Sequence, residues 1–281
     1  MVKTYHPETL TEALKIRNET HALPYAGGTD LMVRYRQGPG LVPAFDREVM
    51  FIGHLPELTK LQEKNGEFAI GACVPYREII HHRHTPEILR KACSLIGAPA
   101  VQNLGTMGGN ICNASPAGDT LPPLAILDTH LTLQSVSGER QVSLLSFFTG
   151  PGKTILRDDE LLIGIHFRLP HFTAEGYRKV GTRKANALSK VAFAAFMLKE
   201  KDMLADIRIA LGAVAPTVVR SRELENRLIG QPLTDLANLM PDLLESYGTL
   251  IQPITDQRSD ANYRKTVSLN LIENFVLKEE S

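Results

Sequence analysis

Two glycine-rich segments decide the fold of this chain: Ala26-Gly27-Gly28-Thr29-Asp30-Leu31 and, about eighty residues later, Thr106-Met107-Gly108-Gly109-Asn110-Ile111. The second segment is followed by Ser115-Pro116-Ala117-Gly118-Asp119. Glycine lacks a Cβ and adopts positive φ, so such turns let a phosphate approach the backbone and aim several N–H groups at it. Two such turns can hold a long diphosphate ligand from both sides. Neither segment contains G-x-G-x-x-G, which excludes the Rossmann fingerprint.

The composition excludes several classes of protein. Of 281 residues, 43% are apolar, and the 31 Lys and Arg balance the 31 Asp and Glu. A formal net charge of zero gives no electrostatic reason to bind nucleic acid or an anionic membrane. No apolar run approaches the roughly eighteen residues that a membrane helix needs, and residues 1–7 lack the apolar core of a signal peptide. We therefore expect a cytoplasmic protein with no nucleic-acid or membrane partner.

The three cysteines, Cys73, Cys93 and Cys112, are widely spaced and odd in number. This spacing argues against a disulfide framework and against a CxxC metal site. An iron–sulfur cluster normally takes four thiolates, so this chain alone is expected to hold neither a cluster nor another metal. Cys112 lies just after the second glycine pair, where it can approach a ligand, but packing is the simpler role for each thiol.

The hydrophobic pattern predicts α+β architecture in three parts: 1–57, 58–171 and 172–281. In the first part, a helix at 7–18 and strands at 21–25 and 49–52 flank the first glycine segment. In the second part, strands at 67–70 and 161–169 enclose a helix at 86–96, with Thr85 as its N-cap and Pro86 at its first position. The third part predicts a three-stranded sheet followed by helices, with strands at 176–183, 190–198 and 207–214 and helices at 221–228, 233–247 and 262–278.

Two other patterns resemble ligand-binding motifs but do not match them in full. The run Gly150-Pro151-Gly152-Lys153-Thr154 ends like a P-loop, but that motif requires glycine at position 147, where this chain has Phe147. A second pattern, the cluster His81, His82 and His84 with Arg83 between, lacks the i, i+4 spacing of helical metal ligands, so a solvated loop is the better interpretation.

The chain as a whole resembles the FAD-binding subunit of the molybdenum hydroxylases, the group that contains xanthine dehydrogenase and carbon monoxide dehydrogenase. Both glycine segments carry the resemblance, together with residues 147–154, 183–185, 208–217 and 263–264. Each of these segments alone is weak evidence for the family, whereas all of them in this order along one chain are specific evidence. The resemblance implies the two-subdomain FAD-binding fold shared with vanillyl-alcohol oxidase, followed by the α+β C-terminal domain.

The resemblance also implies where noncovalent FAD binds. The expected cofactor-binding residues are Tyr25, Ala26, Gly27, Gly28, Thr29, Asp30, Leu31, Ile96, Thr106, Gly108, Gly109, Asn110, Ser115, Asp119, Ile163 and Lys190. Backbone N–H groups of the first segment would bind the diphosphate, while the Asp30 carboxylate caps the segment that follows. Asp119 would accept hydrogen bonds from sugar or ribityl hydroxyls. Lys190 would lie near the isoalloxazine ring and stabilise negative charge on reduced flavin. Taken alone, each segment also fits an ordinary turn.

The function implied is an FAD-carrying electron-transfer subunit of a multi-subunit molybdenum hydroxylase. Electrons would come from [2Fe-2S] clusters on a partner chain, and NAD⁺ is the expected acceptor. Molybdopterin and substrate oxidation would belong to a separate large subunit. Two alternatives remain open at this point. The chain could be a self-contained flavin oxidoreductase of the same flavin fold, or a non-catalytic interaction protein that has lost flavin.

Overall fold

The N-terminal part forms a small parallel sheet. The structure is a computed structural model that describes residues 2–278. The sheet has the order β1-β3-β2 and contains β1 (Thr4–Tyr5), β2 (Leu23–Tyr25) and β3 (Val49–Phe51). Helix α1 (Leu10–Thr20) packs its Ala13 and Leu14 side chains into a core with Met50. A second, short helix, α2 (Leu31–Arg34), follows the first glycine segment and buries none of its residues.

Capping sets the start of α1 three residues later than predicted. The Thr9 hydroxyl accepts a hydrogen bond from the Glu12 N–H at 3.2 Å, which satisfies one of the free donors at the helix start. The helix ends where His21 takes a left-handed conformation, with φ of 51°. The helix predicted at 7–18 is therefore present, but it begins at Leu10 and ends at Thr20.

The second part is an antiparallel five-stranded sheet in the order β4-β5-β10-β6-β7. Its strands are β4 (Leu61–Lys64), β5 (Glu67–Gly71), β6 (His130–Ser135), β7 (Gly138–Ser143) and β10 (Leu161–Arg168). Between them lie the helices α3 (Tyr76–His81), α4 (Glu87–Ser94), α5 (Pro99–Leu104), α6 (Met107–Asn113), α7 (Leu121–Ile126) and α8 (Leu144–Phe147). A small hairpin joins β8 (Phe148–Gly150) to β9 (Lys153–Thr154). It lies beside α6, because the Gly152 N–H donates to the Ala114 carbonyl at 2.9 Å.

The predicted N-cap of α4 is wrong. Thr85 does not cap the helix; Pro86 holds the cap position in an extended conformation, and the first helical residue is Glu87. The cap makes no side-chain hydrogen bond, because proline has no polar side chain.

The C-terminal part is a four-stranded antiparallel sheet covered by helices. Its strands, in the order β11-β12-β13-β14, are β11 (Ala174–Val180), β12 (Val191–Glu200), β13 (Met203–Gly212) and β14 (Val219–Arg220). The two-residue β14 was missed in the sequence because it is too short for an alternating pattern. The helices are α9 (Arg222–Leu228), α10 (Leu236–Leu250) and α11 (Ala261–Lys278), with a short 3-10 turn at Leu233–Asp235.

The C-terminal sheet packs against its own helices on one side and contacts the second part on the other. Phe193 on β12 packs against Phe275 on α11 with ring centroids 5.8 Å apart, and both side chains are fully buried. Burying each such ring contributes about 1.5–3 kcal/mol. On the other side, the Ala213 N–H donates to the Pro116 carbonyl at 2.7 Å. The C-terminal domain therefore holds the loop that ends the second glycine segment.

Candidate functional site

A cavity of about 520 Å³ lies where the three parts of the chain meet. We call it the central cavity. It lies within the range of about 300–1,000 Å³ typical of ligand sites. Most of the predicted residues line it: Ala26, Gly27, Gly28, Thr29, Asp30, Leu31, Ile96, Thr106, Gly108, Gly109, Asn110, Ser115 and Asp119.

The first glycine segment presents unpaired backbone donors to the central cavity. Within the described residues, none of the N–H groups of residues 27–31 donates to a protein acceptor. Gly28 has φ of +69°, which side chains rarely adopt, and a Cβ at Gly27 would lie 1.7 Å from the Leu104 carbonyl oxygen. The glycines thus let the chain turn tightly against α5 while its donors stay free. A row of free donors at a cavity wall is suited to binding an anion.

Asp30 does not cap α2, so that prediction is wrong. Its carboxylate makes no cap hydrogen bond and instead pairs with the Arg34 guanidinium at 3.4 Å. Arg34 also donates to the Asn113 side-chain oxygen at 2.6 Å, across the edge of the central cavity. Arg34 was not predicted from the sequence as a cavity residue, although its i, i+4 spacing from Asp30 is typical of an ion pair.

The second glycine segment works differently from the first, because it begins a helix. The Thr106 hydroxyl accepts a hydrogen bond from the Gly109 N–H at 3.1 Å and so caps α6. The N–H groups of Met107 and Gly108 donate to the carbonyls of Val74 and Ala72. The expectation that both segments aim free N–H groups at one diphosphate is therefore wrong for the second segment and stays a prediction for the first. The second segment instead lets a ligand approach the backbone closely, because Gly109 is exposed to the cavity.

Asp119 lies at the centre of a buried ion pair. Its carboxylate accepts hydrogen bonds from the Lys179 ammonium at 2.7 Å and from the Ser189 hydroxyl. The Lys179 ammonium also donates to the Leu95 carbonyl at 2.8 Å. Burial raises the pKa of Asp119, although the nearby Lys179 charge opposes that shift. Asp119 and Lys179 both line the central cavity, which the sequence analysis predicted only for Asp119.

Three predicted residues do not line the cavity. The Lys190 ammonium lies over the Tyr263 ring, 5.2 Å from its centroid, which is a cation–π contact. The structure brings Lys179, on β11, to the cavity in its place. Tyr25 packs its ring against Phe51 at 4.9 Å, and Ile163 packs against the N-terminal core.

Cys112 lines the central cavity, but its thiol is poorly suited to react. Burial raises its pKa to about 12, and burial likewise raises the pKa of Cys73 to about 12. A thiol with such a pKa holds almost no thiolate near neutral pH, and the thiolate is the nucleophile. The packing role predicted for these cysteines agrees with this chemistry.

Residues 2–278 contain neither a cluster of metal ligands nor a helix able to span a membrane. Within that range, no group of three or more His, Cys, Asp or Glu side chains is placed to hold a metal ion. None of the helices described there is long and apolar enough to cross a membrane. The groups that the cavity wall offers for noncovalent binding are backbone donors, cations and the Asp119–Lys179 pair.

Comparison with known families decides the class of ligand. Residues 1–171 match a family described as the FAD binding domain in molybdopterin dehydrogenase, and this match covers more than half of the chain. The chain belongs to this family. Residues 176–278 match the CO dehydrogenase flavoprotein C-terminal domain. The central cavity is therefore the candidate FAD site of a molybdopterin dehydrogenase flavin subunit.

Individual relatives agree along nearly the whole chain. The chain is similar to the xanthine dehydrogenase FAD-binding subunit of Escherichia coli O157:H7, with 28% identity over 98% of this chain and 94% of that subunit. It is also similar to the glyceraldehyde dehydrogenase medium chain of Sulfolobus acidocaldarius, with 33% identity over 92% of each chain.

A solved structure shows the same fold. It is a carbon monoxide dehydrogenase from Hydrogenophaga pseudoflava that lacks the Mo-pyranopterin moiety of the molybdenum cofactor. The TM-score is 0.87 at 25% identity, covering 97% of this chain and 95% of that chain. The predicted family, the α+β FAD-binding fold and the oxidoreductase class are confirmed. The residues that touch FAD, the iron–sulfur partner and the NAD⁺ acceptor stay predictions.

Proposed function

We propose that this chain binds one FAD noncovalently in the central cavity, receives electrons from [2Fe-2S] clusters on a partner chain and delivers them to NAD⁺. The observation that carries the proposal is the row of free N–H donors at residues 27–31, facing a cavity closed by all three parts of the chain. Bound FAD would supply the two-electron redox chemistry, and the protein would supply position and electrostatics.

The residues present fit such a cofactor. The diphosphate of FAD carries negative charge, which free backbone N–H groups bind without a basic side chain. The exposed Gly109 leaves room for close approach, since an added Cβ there would meet only the Thr106 hydroxyl, at 2.8 Å. Asp119 keeps its carboxylate at the wall, where it can accept hydrogen bonds from ligand hydroxyls in addition to those from Lys179 and Ser189.

The electron donor must come from elsewhere. The chain has three cysteines, and a cluster normally takes four thiolates. The names of the relatives support a subunit role, because one is a medium chain and another is an FAD-binding subunit. We propose an iron–sulfur subunit and a molybdopterin-binding large subunit as partners, in the cytoplasm where NAD⁺ is available. The match of residues 176–278 favours this over a self-contained flavin reductase.

The test separates the flavin reaction from hydroxylation. We expect the isolated chain, loaded with FAD, to oxidise NADH with an artificial dye and to show no purine or aldehyde oxidation. Adding the separately purified iron–sulfur and molybdopterin subunits should restore substrate-dependent NAD⁺ reduction. Hydroxylase activity from the isolated, metal-free chain would refute the subunit role. Failure of the FAD-loaded chain to oxidise NADH would refute NAD⁺ as acceptor.

A further inference from the structure

Arg17 is a buried cation at the wall of the central cavity. It lies on α1, on the same face as the buried Ala13 and Leu14, and only 5% of its surface is exposed. Its Nη1 donates to the carbonyls of His21 at 3.0 Å and Ala22 at 2.8 Å, and its Nε donates to the Glu160 carbonyl at 3.3 Å. Within the described residues, Nη2 has no hydrogen-bond partner, and Arg17 lines the cavity.

The charge of Arg17 is not neutralised by a direct partner. Among residues 2–278, no carboxylate lies within 4 Å of its nitrogens, and the charges of Asp158 and Asp159 act only from a greater distance. The positive charge of Arg47 counteracts the effect of these two carboxylates on Arg17. Burial lowers the pKa of the Arg17 guanidinium. Removing a cation from water without an ion partner is unfavourable, and backbone carbonyls offset that cost only in part. A bound ligand that accepts from Nη2 would offset more of it.

The position of Arg17 indicates which part of a ligand it meets. Its guanidinium donates to the carbonyl of Ala22, just before β2, whereas the free N–H groups begin at Gly27, after β2. The three residues of β2 that lie between them cover about 10 Å, at about 3.3 Å per strand residue. Cys112, at the C-terminal end of α6, lines the same cavity as Arg17. This end of the cavity therefore lies beyond the diphosphate, where one of the two ring systems of FAD would be placed.

We propose that Arg17 is a cofactor-binding residue whose Nη2 donates a hydrogen bond to a ring nitrogen or carbonyl oxygen at one end of the bound FAD. This inference rests on the proposed function. Flavin and adenine both carry such acceptors, so the two halves of the cofactor serve as separate probes. FMN represents the flavin half, and ADP represents the adenine half.

The decisive variant is Arg17→Met, which keeps the length of the side chain and removes its charge. Arg17→Met also removes three hydrogen bonds to backbone carbonyls, so the chain without FAD should unfold at a lower urea concentration than the wild type. FAD affinity should fall about ten- to hundredfold, as expected for one hydrogen bond from a charged donor. The affinity for one of the two probes, FMN or ADP, should fall together with the affinity for FAD. The affinity for the other probe should not change. Arg17→Lys should recover part of the loss.

Arg90 provides a matched control. It also donates to backbone carbonyls, those of Ile80, His82 and Thr85, but it is absent from the cavity wall. We expect Arg90→Met to lower stability and leave FAD affinity unchanged.

Two results would overturn the inference. If Arg17→Met lowers the affinities for FMN and for ADP alike, Arg17 only holds carbonyls in place. If Arg17→Met binds FAD as the wild type does, Arg17 does not meet the cofactor, and the proposed function still stands. A wild-type chain that binds neither FAD nor its halves would instead remove the proposed function, and this inference with it.

Discussion

Replacing Lys179 by Met tests the buried pair at the cavity wall. The Lys179 ammonium lies 2.7 Å from the Asp119 carboxylate, and both side chains are less than a tenth exposed. At an effective dielectric constant of about 20, the attraction at this distance is about 6 kcal/mol before desolvation. The variant leaves a buried carboxylate with only the Ser189 hydroxyl as side-chain partner, a change that costs about 3–5 kcal/mol in comparable cases.

The cost has an upper limit, because Asp119 can take up a proton instead. Protonation costs about 1.4 kcal/mol for each pH unit above the usual carboxyl pKa of 3.8. The limit is then about 4 kcal/mol at pH 7 and about 1.6 kcal/mol at pH 5. Burial already raises the pKa of Asp119, so stability linked to this group is greatest in acid and is lost as the pH rises. Lys179→Met should enlarge this loss of stability at higher pH.

The assay is urea unfolding of the FAD-free chain at pH 7 and pH 5. We expect Lys179→Met to lose about 3–4 kcal/mol of unfolding free energy at pH 7 and less than half as much at pH 5. Adding Asp119→Asn to the same chain should recover most of the loss at pH 7. Lys184→Met, which alters an exposed lysine of the following loop, should change nothing. An equal loss at both pH values would show that an uncompensated charge is not the cause.

Three further predictions concern other parts of the molecule. Gly109→Val should weaken FAD binding about tenfold or more by filling the open side of the cavity, whereas Gly248→Ala on α10 should not; equal affinities measured by fluorescence titration would contradict this. The cysteine thiols should resist iodoacetamide at pH 8 until the chain is unfolded, because burial raises their pKa; rapid labelling of the native chain would be the contrary result. Hydrogen bonds from Arg140 lower the pKa of Glu160, so their contribution is present above about pH 4.5 and is lost as acid protonates the carboxylate. Arg140→Gln should therefore cost about 1–2 kcal/mol at pH 7 and little below pH 3, which an acid series of unfolding curves will check.

Local chemistry made much of the fold predictable. The first glycine segment, the strand at Glu67–Gly71 and the long strands β12 and β13 follow from turn residues and apolar runs, which act over a few neighbours. The start of α4 was not predictable in the same way. Thr85-Pro86 fits a cap, but the chain holds Pro86 in an extended conformation, which the local sequence does not dictate.

The site depended on contacts that sequence spacing does not determine. Lys179 lies on β11 and Lys190 lies just before β12, at either end of one loop, and the strand pairing places Lys179 opposite Ala192. That register brings Lys179 to the cavity and Lys190 to the ring of Tyr263. Arg17 was visible in the pattern, since it falls four residues after Ala13 on the buried face of α1. A charged residue such as Arg17 on an apolar helix face indicates a buried cation, which the hydrophobic periodicity alone did not predict.

Reconstitution with FAD tests the central claim most directly. The FAD-free chain would be titrated with FAD, separated from free flavin, and its absorbance spectrum recorded before and after acid precipitation. We predict one FAD for each chain, all of it released into the supernatant by acid, as noncovalent binding requires. A folded chain that stays colourless after FAD is added, or a pellet that keeps the flavin, would contradict the account.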